Sequence, residues 1–236
     1  MPPAIPKAAL HKCNNCYVSG AEKTLQKCAR CRAAKYCSKE CQRADWPKHK
    51  RGCQFNADLA SALKEHEQSP LGLLERLVLP DGISRYELDQ RLEKWVRWHH
   101  PTLMAATIDA LRLPDDLTRA RTQVLHIQLE ARTDHGDATA KFFRVLDAHV
   151  VDVADAMHFH APWPESLVAL RDMQEDSEKM HRGTIAACMV ECKQLAVQTV
   201  PFGSIKNLRP GPAVNPRWKE GLIQYVEEGK KLLARR

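Results

Sequence analysis

The 236-residue chain has no run of about 18 apolar residues, so no part of it reads as a membrane-spanning helix. Its opening, Met1-Pro2-Pro3-Ala4-Ile5-Pro6, lacks the apolar stretch of a secretory leader. An intracellular, reducing setting in nucleus or cytoplasm is therefore expected, where thiols stay reduced. Aromatic residues are few, at 6%. There is no Gly-x-Ser-x-Gly turn, no phosphate loop, no Gly-x-Gly-x-x-Gly and no His-Glu-x-x-His. The common hydrolase, nucleotide-binding and zinc-protease classes thus lose the residues on which their chemistry depends. No internal repeat is present.

What the chain does have is cysteine, unevenly placed. Seven of its nine cysteines fall within the first 53 residues, in the pairs Cys13-x2-Cys16, Cys28-x2-Cys31, Cys37-x3-Cys41 and, with a histidine, His49-x3-Cys53. Eight soft or borderline ligands in pairs are what two tetrahedral zinc ions require, because short spacers let both members of a pair reach one ion. A segment of this length holding Tyr36, Trp46 and few aliphatics has too small a core to fold unaided, and needs metal or disulfides. The odd thiol count, the histidine in register and the reducing setting favour metal. Cys188 and Cys192 lie far away and would share a strand face as small core residues.

Charge is as lopsided as cysteine. Residues 1–53 carry 12 Lys+Arg against 3 Asp+Glu, whereas the remainder carries 24 against 26. Lys12, Lys27, Arg30, Arg32, Lys35 and Lys39 lie close in sequence to the thiolates and should favour their ionised form. Charge compensation is the plainer reading of the basic excess, and nucleic-acid binding the second.

The expected organisation is a flexible Pro/Ala tail over residues 1–10, a zinc module over 11–54, and an α+β domain over 55–236. Ser38 caps a short helix that Pro47 is expected to end, and an exit helix runs over Asp58–Lys64. Leu88, Leu92, Trp95, Val96 and His99, then Met104, Ile108 and Leu111, recur at helical spacing, with Pro101 and Pro114 expected to punctuate two helices. His99-His100 would then form a helix end. Leu125, Ile127, Leu129 and Ala131 alternate with Val124, His126, Gln128 and Glu130, the pattern of a half-buried strand. Phe142–Val153 reads as a second strand, and Thr184–Cys192 with Leu195–Val200 as a hairpin. Glu165–Met180 and Trp218–Leu233 read as helices, the latter preceded by a loop at Arg209-Pro210-Gly211-Pro212. A mixed helical domain with a small antiparallel sheet is the sum.

The spacing C-x2-C-x11-C-x2-C-x5-C-x3-C-x7-H-x3-C resembles the MYND-type zinc finger, with every ligand position filled. Lys35-Tyr36-Cys37-Ser38 and Cys41-Gln42-Arg43-Ala44-Asp45-Trp46-Pro47-Lys48-His49-Lys50 match that family's flanking words. RING and PHD fingers also use eight ligands, at different spacings. Beyond the finger, the chain looks similar only to uncharacterised regions of fungal MYND-containing proteins. The resemblance implies interleaved ligation: Cys13, Cys16, Cys37 and Cys41 on a first zinc, Cys28, Cys31, His49 and Cys53 on a second. Both spheres would be full and the zincs structural.

The resemblance further implies a protein–protein interaction module for proline-rich motifs such as Pro-x-Leu-x-Pro, in a setting such as transcriptional regulation. Gln42 and Trp46 match the positions lining the family's groove, and their i,i+4 spacing puts them on one helix face. The rival reading has Trp46 packed between the zinc sites and Gln42 capping a loop. A further idea places Pro2–Pro6 in the chain's own groove or a neighbour's. Some MYND fingers sit inside SET-domain methyltransferases, but the Asn-His dipeptide of that domain is missing and Glu227-Glu228-Gly229 has the wrong order. The expectation is a non-enzymatic binding protein that makes no use of a membrane. The alternatives are nucleic-acid binding through the basic finger, or an unidentified activity in the C-terminal domain. His158-Phe159-His160 would be a metal-capable pair if it lay on a strand, but reads as solvated.

Overall fold

The computed structural model describes residues 13–136, 138–193, 195–205 and 214–231. The expected tail over residues 1–10, with its Pro2–Pro6 segment, and the loop at Arg209–Pro212 lie outside these. The chain divides into two compact units, one reaching Gly72 and one beginning at Leu73.

The first unit opens with two cysteine turns and a ribbon of two short antiparallel strands, β1 (Gln26–Lys27) and β2 (Lys35–Tyr36), paired Gln26 to Tyr36 and Lys27 to Lys35. Helix α1 follows as one element from Lys39 to Glu67, with Ser38 Oγ accepting the Cys41 N–H at 3.2 Å. The helix expected to stop at Pro47, and the separate exit helix at 58–64, are therefore a single helix. Proline inside a helix removes one backbone hydrogen bond and costs roughly 3 kcal/mol. Here Cys41, His49 and Cys53 all have to stand on the same rigid element, and metal ligation favours continuity over the break. A short helix α2, Pro70–Glu75, spans the unit boundary.

The second unit combines helices with a four-stranded sheet. Helix α3 (Arg85–Ala110) begins with a full capping box, Ser84 and Glu87 each bonding the other's backbone N–H. It too runs through a proline, Pro101, so His99 and His100 sit in mid-helix and not at an end. A buried stripe explains why it holds: Leu88, Leu92, Trp95, Val96 and Leu103 all face the core.

A short helix α4 (Arg119–Thr122) leads into β3 (Gln123–Ala131). Next come β4 (Phe143–Asp152), α5 (Val153–Ala156), α6 (Trp163–Lys179), β5 (Thr184–Cys192), β6 (Gln198–Ile205) and α7 (Trp218–Glu227). The sheet order is β4-β3-β5-β6. Two antiparallel pairs, β3/β4 and β5/β6, are joined by a parallel pairing of β3 with β5, in which Leu125 faces Cys188 and Ile127 faces Val190.

Strand β3 is central, and the half-buried pattern expected for it is overturned, since Val124, Leu125, His126 and Ile127 are all buried. Leu125, Ile127 and Leu129 pack on α3 and α7, while Val124 packs on Trp163, Leu167 and Leu170 of α6. A sheet covered on both faces has no polar side to advertise. Helix α7 ends at Glu227, short of the expected Leu233, because Gly229 takes φ +64°. Its N–H bonds the Val226 carbonyl and that of Lys230 the Tyr225 carbonyl, each at 3.0 Å, which is a Schellman stop.

Candidate metal centre

Each C-x2-C pair sits on a tight turn whose next residue adopts a left-handed backbone, Tyr17 at φ 62° and Arg32 at φ 57°. The turns close by Tyr17 N–H to Cys13 O and Arg32 N–H to Cys28 O, both at 2.9 Å. Backbone N–H groups thereby crowd around the first sulfur of each pair. Ribbon β1/β2 carries the chain from the second turn back to Cys37, and α1 supplies Cys41, His49 and Cys53.

The side chains converge in two sets. Cys13, Cys16, Cys37 and Cys41 form one, and Cys28, Cys31, His49 and Cys53 the other, with ligand atoms in each set within 4.8 Å of one another. Cys16 and Cys37 sulfurs lie 3.5 Å apart, Cys37 and Cys41 3.6 Å, Cys28 and Cys53 3.8 Å, and Cys31 Sγ lies 3.6 Å from His49 Nε2. Zinc–sulfur bonds of about 2.3 Å and zinc–nitrogen bonds of about 2.05 Å at tetrahedral angles put S···S near 3.8 Å and S···N near 3.6 Å. The donor sets therefore fit two zinc ions in both chemistry and dimension, and four protein ligands fill each sphere. Among the described residues these are the two groups able to hold a metal in this way.

Protonation in the two sets is uneven. Burial raises the Cys13 thiol, but the backbone N–H groups of Cys16, Cys37 and Asn15 outweigh it and bring the pKa to about 6. At Cys28 burial is likewise overcome, by the Cys31 N–H and the His49 ring, again to about 6. Crowding acts in the opposite sense on their neighbours. The Cys16 thiol, then burial, push Cys37 up to about 12, while burial, then Cys28, push Cys53 up to about 11. Metal-free thiols packed this closely share protons that a bound cation displaces.

The residues between the ligands tie the sets together. Tyr36 is 2% exposed and donates its hydroxyl to Asp45 Oδ2 at 2.7 Å. Its ring meets the edge of His49 at a centroid distance of 5.8 Å. Trp46 packs against the same histidine at 6.0 Å yet remains 42% exposed. Gln42 is half-buried, and its side-chain N–H donates to Cys28 Sγ at 3.6 Å. The two candidate groove residues thus share α1, one standing out from it and one reaching to a thiol of the second set. Spacing alone gave no sign of the Gln42–Cys28 bond, which joins residues distant in sequence.

A family profile for the MYND finger matches residues 11–53. These residues are a MYND finger. Such a finger is a protein–protein interaction module. The chain is similar to histone-lysine N-methyltransferase SMYD3 of Homo sapiens, 38% identical over 92 residues, which is 35% of this chain and 20% of that protein. It is similar to SET domain-containing protein 14 of Caenorhabditis elegans, 48% identical over 56 residues, covering 24% and 11%. It is also similar to Egl nine homolog 1 of Homo sapiens, 51% identical over 39 residues, covering 16% and 9%. The chain thus spans a fifth or less of the length of these relatives. No solved structure matches it significantly.

Outside the finger the candidate residues separate. His158 and His160 follow α5 in a turn and not a strand, both exposed, with His158 Nδ1 3.0 Å from Ala154 O and His160 Nε2 3.4 Å from Glu191 Oε1. His99 is fully buried and bonds Ala140 O at 2.8 Å. Cys188 and Cys192 are core residues of β5, and burial pushes Cys188 up to about 12. Among the described residues no helix is long and apolar enough to cross a membrane.

Proposed function

We propose that the finger docks a short proline-rich segment of a protein partner, with transcriptional regulation as its setting, on a scaffold held by two structural zincs. Cys13, Cys16, Cys37 and Cys41 hold the first zinc, and Cys28, Cys31, His49 and Cys53 the second. The observation that carries this reading is the position of Trp46, whose ring is braced on the ligand His49 while 42% of the residue stays open to solvent. A braced, exposed indole is a stacking platform for proline that loses little entropy on binding. Gln42 lies one turn earlier on the same face. Its amide has a carbonyl oxygen and a second N–H beyond the one directed at Cys28, enough to bond an extended ligand's backbone. Zinc supplies folding energy here, and the recognition chemistry belongs to the protein's own side chains.

The C-terminal unit has no role in this binding step. The methyltransferase names belong to relatives of the chain matched only around the finger, so the binding function is proposed without an enzymatic one. Isothermal titration of a Pro-x-Leu-x-Pro peptide into the zinc-loaded chain tests the proposal. Saturable binding that disappears in Trp46→Ala, with two zincs retained, supports it. Absence of binding, or equal binding in the variant, removes it. Binding of duplex DNA that weakens steeply with salt and ignores Trp46→Ala would favour the basic finger as a nucleic-acid surface instead.

A further inference from the structure

We propose that the segment docked on this finger is acidic as well as proline-rich, with carboxylates placed along α1 just beyond the proline that covers Trp46. The inference rests on the docking function above and adds the chemistry of the partner.

Because α1 does not stop at Pro47, the surface beyond Trp46 belongs to the same rigid helix. An open cleft of about 550 Å³ runs there, with Trp46 and Phe55 among its lining residues. Phe55 is 52% exposed, so the cleft has an accessible aromatic ring toward each end. Between them lie Lys50 and Arg51, both exposed. Arg30, carried by the turn between Cys28 and Cys31, lines the cleft as well and donates to the side-chain oxygen of Gln54, a neutral acceptor. The carboxylate in the lining, Asp58, accepts the Gln54 amide at 2.5 Å. The cleft is therefore cationic between two apolar anchors.

Zinc does not cancel this charge. A zinc held by four thiolates makes a site of formal charge −2, and one held by three thiolates and an imidazole a site of −1. Residues 1–53, with 12 Lys+Arg against 3 Asp+Glu, therefore keep about +6 when loaded. Thiolate compensation accounts for part of the basic excess and leaves the Arg30, Lys50 and Arg51 side of α1 for a ligand. Anionic groups on the partner are the complement that steers encounter and fixes register.

Helix geometry sets the spacing. Trp46 and Phe55 are nine residues apart on α1, about 13 Å along its axis at 1.5 Å per residue. Nine steps of about 100° also make about two and a half turns, so the two rings project from opposite sides of α1, and an extended ligand that meets both crosses the helix obliquely over the face between them. Lys50 and Arg51 fall about midway. The motif is thus a proline followed directly by carboxylates, with an apolar residue beyond them.

Titration of three peptides into the zinc-loaded full chain tests this. All share one Pro-x-Leu-x-Pro core and are extended by two Glu, two Gln or two Lys, then Leu. The Glu peptide is expected to bind about five- to tenfold tighter than the Gln peptide, the scale of two exposed ion pairs, and the Lys peptide most weakly. High salt should collapse the three affinities toward one value. The double variant Lys50→Glu, Arg51→Glu should reverse the order, provided it retains two zincs. If it loses metal, the salt dependence of the wild type still decides. Equal affinity for Glu and Gln peptides, with binding still lost in Trp46→Ala, overturns the acidic motif and leaves the docking function standing. Absence of binding to any of the peptides overturns the docking function itself.

Discussion

At the residue scale, the finger is made of side chains doing two jobs. Trp46 packs on His49 and still faces solvent, so contact with a metal ligand leaves its ring accessible. Gln42 places an N–H on the Cys28 sulfur at 3.6 Å, the kind of outer contact that orients a metal ligand. Gln42→Ala should therefore weaken zinc at the Cys28 set by about tenfold in chelator competition while sparing the Cys13 set; equal affinities at both sets before and after would contradict this. Arg32 holds a left-handed backbone at φ 57° directly after Cys31, where glycine is at ease and a β-branched residue is not. Arg32→Gly should keep two zincs with unchanged or slightly tighter affinity, whereas Arg32→Val should release metal at lower chelator concentration. The eight ligands were legible because zinc imposes residue type and spacing. The left-handed turns and the Gln42 bond were not, since neither tyrosine, arginine nor glutamine is chosen by those positions alone.

At the element scale, local rules misled wherever a long-range demand outweighed them. Proline normally ends a helix, yet α1 passes Pro47 because three ligands must share one axis, and α3 passes Pro101 because its apolar stripe continues on both sides. Pro47→Ala should raise the unfolding midpoint of the finger with zinc content unchanged, restoring one helical hydrogen bond; a lower midpoint would show that the proline serves the fold. Gly229 stops α7 where periodicity alone would have carried it on. Strand β3 was visible as a strand, but its second covered face depends on α6, which alternation along β3 cannot reveal.

The same burial has a pH consequence. Burial lowers His99, His100 and His126, outweighing the Ala140 carbonyl, the Pro201 carbonyl and the Glu191 carboxylate respectively. The unfolded chain therefore takes up protons that the folded unit refuses once pH falls below about 6.5. Stability of this unit should be level above that pH and decline below it, as amide exchange in β3 would report. Constant protection down through that range would rule the effect out.

At the scale of the whole molecule, two cores of different origin share one chain. The second unit buries Trp95, Phe143, Trp163 and aliphatic strands, while the first is organised around cysteines, Ala34 and Tyr36. Metal removal should therefore unfold only the first. Because the sets interleave along the chain, loss of Cys41 or of Cys53 should each cost both zincs, read as metal per chain by mass spectrometry; retention of one zinc would mean the sets fold independently. The central claim is that binding resides on helix α1 of the zinc-loaded finger. Amide chemical-shift mapping during titration of an acidic proline-rich peptide tests it most directly. The account predicts saturable shifts confined to the Cys28–Cys31 turn and α1 from Gln42 to Phe55. Shifts centred in residues 73–231, or none that saturate, would contradict it.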